Sequence, residues 1–201
     1  IVLLPWVLCT SYVWAANECL AEGAGADTLN CAGGAYATGI TYTNSDGLTL
    51  NLNDPTITVS TAAGTGVSVT SSAANTNNIV INATTIVSSA GGTSGHGLRA
   101  DNAGTAGDAI IAVASGDITG AGQGDYALIS NAVNAGTTTI TITGGAASTT
   151  GGSDIGVYSR NNGLGAANAS MSGGSITTVG IFASGLFSHV GNAASTADAT
   201  T

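Results

Sequence analysis

From residue 66 onward the chain repeats itself about every thirty residues. An apolar residue preceded by Gly or Ala recurs at Val67, Leu98, Leu128, Val157 and Leu186, at spacings of 31, 30, 29 and 29. The preceding residues are Gly66, Gly97, Ala127, Gly156 and Gly185. Twelve positions after an anchor stand Ile79 and Ile140, fourteen after stand Ile81, Ile142 and Met171, and nineteen after stand Ile86 and Ile176. The Leu98 pass carries one extra residue, which moves the same set to Ile111, Val113 and Ile118. A unit this short cannot bury its own apolar side. The repeat therefore marks a solenoid, in which each unit stacks on the next.

Inside a unit the apolar residues alternate, as half-buried strands require; TTTITIT (137–143) and DAIIAVAS (108–115) are the clearest runs, and NIVINATTIV (78–87) and LTLNLNDPTITVS (48–60) resemble them. No window carries an amphipathic helical period with caps. Each unit reads as three short strands, at the anchor, at the Ile-x-Ile pair and around Ile118 or Ile176. Clusters of Gly, Asn and Asp, which tolerate the positive φ of tight corners, separate them. The expected fold is all-β: a right-handed parallel β-helix of about five coils over 46–201, three strands per coil, incomplete at its C-terminus. A β-propeller blade needs forty or more residues and four strands, which this period does not supply.

Charge limits the partners. Only 6% of the 201 residues are charged, and eleven acidic residues face Arg99 and Arg160 alone, for a net charge of −9. A nucleic-acid binder needs a cationic footprint for phosphates, and an anionic membrane surface needs the same. Neither partner is expected. Two prolines and alternating β-branched runs also set the repeat apart from disordered sequence, despite its 31 glycines.

Residues 1–15 read as a truncated signal peptide: an apolar run, IVLLPWVLCTSYVW, is too short to span a bilayer and ends at small residues that place the cut after Ala15. Cys9 leaves with that segment. Cys19 and Cys31 remain, an even pair in an exported chain, and a disulfide between them would pin an N-terminal cap over 16–45. Further Cys or His at ligand spacing is missing, so no metal is expected.

One pair of carboxylates is placed where it could do chemistry. Asp125 and Asp154 each lie three residues before an anchor, so they stack on neighbouring coils, near Tyr126, Tyr158, Arg99 and Arg160. Two carboxylates so placed suit acid and nucleophile roles or a Ca²⁺ site; they equally suit corner residues whose side chains bond turn amides. Lysine, which lyases of acidic polysaccharides use to hold a uronate, is absent. No catalytic residue and no cofactor is assigned, and His96 and His189 read as corner residues. GAGQGDYAL (120–128) has its glycines out of place for a Ca²⁺-binding nonapeptide, and no Gly-rich stretch carries a P-loop lysine. If the anchors point inward, the next residue on each strand points outward, so Arg99, Ile129, Tyr158 and Phe187 form a surface ridge suited to a carbohydrate or a protein.

NECL…LNCAGGAYATGITYTNSDGLTLNLND, TGVSVTSS, VASGDITGAGQGDYALISN and ITGG…IGVYSRNN, after a signal peptide, resemble the start of an autotransporter passenger domain, a type V secretion product of Gram-negative bacteria. The resemblance implies export to the cell surface, outer membrane or extracellular space, with membrane contact only through a C-terminal β-barrel that this sequence does not contain. It implies a non-enzymatic stalk or adhesin whose partners are a host or matrix protein, a carbohydrate, or another copy. A carbohydrate-active β-helix enzyme acting on pectin-like substrate, through Asp125 and Asp154, and a self-associating aggregation protein are the alternatives.

Overall fold

The computed structural model describes residues 18–89 and 95–201. The expected signal peptide, its cleavage point and Cys9 lie outside these residues. Within them every element is a strand, and every strand pair is parallel. The chain visits three sheets in fixed rotation. Sheet I has seven strands: Asp27–Asn30, Leu48–Leu52, Ile79–Ala83, Ala109–Val113, Thr138–Ile142, Ala167–Met171 and Ala199–Thr200. Sheet II has six: Ala35–Tyr36, Thr58–Thr61, Ile86–Ser89, Asp117–Gly120, Ala146–Thr149 and Ser175–Thr177. Sheet III also has six: Ile40–Ser45, Val67–Ser71, Leu98–Asn102, Tyr126–Ala132, Ile155–Asn161 and Ser184–Val190. This is a β-solenoid of the parallel β-helix kind, in which successive rungs lie about 4.8 Å apart.

The anchors make one continuous column. Val67 pairs with Leu98, Leu98 with Leu128, Leu128 with Val157 and Val157 with Leu186. The first four are fully buried, and Leu186, on the last coil, is half-buried. The column also runs one coil upstream, because Ile40, preceded by Gly39, pairs with Val67. Strands of all three sheets thus occur inside the 16–45 segment expected to act as a cap.

Two columns differ from the sequence reading. Ile81, not Ile79, aligns with Ile111 and Ile140, while Ile79 aligns with Ala109 and Thr138. The cause is length: fourteen positions separate Val67 from Ile81, against twelve between Leu128 and Ile140. A slip of two keeps every side chain on the same face, so the core reading survives it. The slip of one in sheet II does not. Val87, rather than Ile86, joins Ile118, Ala147 and Ile176; Val87 is fully buried, whereas Ile86 is 52% exposed. A one-residue change of register turns a strand over.

Inward residues such as Leu50, Ile81, Ile111 and Ile140 pack into a single core, each contributing about 1.5–3 kcal/mol by leaving water. The corner between sheets I and II is made by Gly116, Gly145 and Gly174, with φ of 85°, 80° and 85°. A Cβ on Gly145 would lie 2.1 Å from the Gly116 carbonyl oxygen, so both conformation and close stacking call for glycine. Outside, Asn82 donates to Asn51 at 2.8 Å and Asn51 to Asn30 at 2.9 Å, a polar ladder across three rungs.

The N-terminal end is closed by the Cys19–Cys31 disulfide, with Cα atoms 5.4 Å apart. Cys31 sits in the core, and the buried Tyr42 donates its hydroxyl to the Leu20 carbonyl at 2.8 Å while accepting from the Leu20 amide at 3.2 Å. The bridge spans twelve residues, for which restriction of the unfolded chain is worth about 2–3 kcal/mol. Reduction, or the double change Cys19→Ala/Cys31→Ala, is expected to lower the unfolding free energy by that amount in chemical denaturation. An unchanged midpoint would mean that packing alone holds this end.

Candidate functional site

Sheet III carries the polar chemistry. Its outward columns bring together residues far apart in the sequence. Ser68, Arg99, Ile129, Tyr158 and Phe187 occupy one column on successive coils, and Thr70, Asp101, Asn131, Arg160 and His189 the next. Both arginines and both histidines of the chain stand on this side of the solenoid. The four ridge residues are not equally available: Phe187 is 41% exposed, the Arg99 side chain 38%, and Ile129 only 9%.

A line of rings crosses these columns. His96 and Tyr126 lie 5.0 Å apart between centroids, Tyr126 and Tyr158 5.2 Å, Tyr158 and Phe187 5.4 Å, and Phe187 and His189 6.3 Å. The first three contacts are tilted, within the range where ring quadrupoles attract. Tyr126 pairs in register with Ile155, not with Tyr158, so its ring reaches Tyr158 diagonally. Reading single columns misses Tyr126 and His96 for that reason. The signal was their place at the head of the strand, two residues before the anchor.

The two arginines differ. Arg99 donates from Nε to Asp101 Oδ2 at 2.7 Å and also pairs through its terminal nitrogen, so its charge is neutralised. Arg160 donates to Asn162 Oδ1 at 2.9 Å, and among the described residues it forms no ion pair. The Tyr158 hydroxyl lies 3.5 Å from His189 Nδ1. Burial raises the Tyr158 pKa above the ordinary phenol value, with the Arg160 charge opposing and Tyr126 adding to the rise.

Asp125 and Asp154 do stack on adjacent coils, but both are fully buried. Asp154 accepts three backbone hydrogen bonds, from Gly124 at 2.8 Å, Asp125 at 3.1 Å and Gly151 at 2.7 Å. It therefore ties its own corner to the coil below. Asp125 has no such set: neither carboxyl oxygen meets hydrogen-bond geometry. Burial pushes its pKa up, with the nearby Gly95 amide opposing and the Asp154 charge adding to the rise. His96 Nδ1 comes within 3.7 Å of Asp125 Oδ1, yet that nitrogen accepts the Tyr126 amide at 3.3 Å. A nitrogen accepting a hydrogen bond carries no proton, so the approach is not an ion pair. Burial, and next the Arg99 charge, lower the His96 pKa to about 4, Asp101 partly opposing.

Comparison with known protein families, curated proteins and solved structures finds no match.

Elsewhere the described residues hold little chemistry. No three His, Cys, Asp or Glu among them gather as metal ligands, and no helix among them is long and apolar enough to cross a membrane. A hollow of about 320 Å³ opens on sheet I, lined by Ala26, Asp27, Gly47, Thr76 and Asn77 among others, with a single carboxylate and no second titratable group.

Proposed function

We propose that this chain is a non-enzymatic β-helical stalk with an adhesive face, the N-terminal part of an exported, autotransporter-like passenger displayed at a bacterial cell surface. The observation that carries the reading is the line of rings and both arginines on the outer side of sheet III; Phe182, 79% exposed, stands on the corner before its last strand. Aromatic and arginine side chains are those that dominate contact energies at interfaces. The burial of Asp125 and Asp154 favours this reading over a hydrolytic one, because an acid and a nucleophile must reach substrate.

Cells displaying the chain test it, through their retention on immobilised matrix and mucin. Tyr158→Ala and Phe187→Ala, both on the outer side, are expected to reduce retention several-fold while leaving the thermal midpoint within a few degrees. Retention equal to the parent in both variants would refute the adhesive face, and clumping of displaying cells without any matrix would favour self-association.

A further inference from the structure

We propose that the outer face of sheet III takes an extended glycan carrying sparse carboxylates, with Arg160 receiving the carboxylate. This rests on the adhesive reading and adds the chemistry of the ligand. The face combines three features. The first is periodicity: rings recur at 5.2–5.4 Å from Tyr126 through Tyr158 to Phe187, close to the rung spacing of about 4.8 Å. A repeating surface of this pitch suits a polymer whose own units are of similar length, as sugar rings are. A peptide partner draws instead on anchors seated in concave pockets, and a sheet face carrying one ring per rung supplies no such seat.

The second feature is the unneutralised cation. Arg99 is occupied by Asp101, but Arg160 has only the Asn162 amide oxygen. The surrounding outward positions, Ile129, Asn131, Tyr158, Phe187 and His189, contain no carboxylate. A guanidinium offers a planar fork of donors matched to a carboxylate, and such charge-assisted bonds are about twice as strong as neutral ones. The Tyr158 hydroxyl and His189 ring, 3.5 Å apart beside it, add polar groups for sugar hydroxyls.

The third feature sets an upper limit on ligand charge. A net charge of −9 repels any dense polyanion at long range. One local cation on an acidic body selects a ligand that is mostly neutral and bears occasional carboxylates.

The test uses the full chain and two probes: an N-acetylglucosamine oligosaccharide bearing a single glucuronate, and the same oligosaccharide with that carboxyl group reduced to an alcohol. Calorimetry at low salt is expected to show the acid form binding at least ten times more tightly than the reduced form. Arg160→Gln should bring that preference below about twofold, with an unchanged circular dichroism spectrum, whereas Phe187→Ala should weaken both forms alike. Equal binding of the two forms by the parent, an Arg160→Gln variant that behaves as the parent, or a preference for polyglutamate over the sugar acid each overturns the proposal. Should neither oligosaccharide bind while cell retention still depends on Tyr158 and Phe187, the ligand class is wrong and the adhesive face stands. If retention also ignores those two residues, both readings fail.

Discussion

Replacing Asp154 with Ala is expected to lower the unfolding free energy by about 2–3 kcal/mol, whereas Asp125→Ala should cost about 1 kcal/mol or less. The two aspartates share one position on successive coils and are equally buried, so the contrast isolates hydrogen bonding from burial. The Asp154 carboxylate is the acceptor for three amides, and its removal leaves Gly124, Asp125 and Gly151 without that partner, the Asp125 amide in a buried position. Neither oxygen of Asp125 meets hydrogen-bond geometry, so the same truncation strands no amide there. Urea denaturation at pH 7 measures both. Equal losses at the two positions would mean that volume at this corner, not amide capping, holds the coils together.

Acid should destabilise the fold through His96. Its folded pKa, lowered to about 4, lies below the unfolded value near 6.5. As pH falls between those values, the unfolded chain takes up a proton that the folded chain refuses, and the lost stability is about 3 kcal/mol between pH 7 and pH 4. Asp125 acts in the opposite sense. Its folded pKa is raised, so its contribution is fully present below the unfolded carboxylate pKa and is lost as pH rises through the folded one. Because the two groups are in contact, their effects will not simply add. Stability measured from pH 4 to pH 7 in the parent, His96→Gln, Asp125→Asn and the double variant separates them. The parent should lose about 3 kcal/mol relative to His96→Gln on acidification, and parallel curves would show that His96 does not resist protonation in the fold.

The stacking was legible in the sequence because a solenoid asks for like residues at like positions, and Leu98, Leu128 and Val157 satisfy that without exception. Register was less legible where corners change length. The Val67 pass has two more positions before Ile81, and one fewer between Ile81 and Val87, than the Leu128 pass has at the corresponding points, a net gain of one, so counting nineteen from the anchor lands on Ile86, on the wrong face. Ile40 was missed although Gly39 precedes it as Gly precedes Val67; it stands only 27 positions upstream, outside the period. The ring line was half legible. Tyr158 and Phe187 follow a column, but Tyr126 crosses between columns, a relation that one-dimensional alignment does not contain. The different circumstances of Asp125 and Asp154 were not legible at all, since they depend on which amides the preceding coil presents.

The corner between sheets III and I has a consequence for how such a scaffold can vary. It runs from Ser72 to Asn78 in one coil and from Val133 to Thr137 in another, yet the rungs on either side remain in register. Adding residues to a surface connection costs little, because closure entropy grows only with the logarithm of length. That corner is therefore a natural graft point. A descendant of this chain can change what it displays by lengthening one bend, while the strands that carry its shape keep their places.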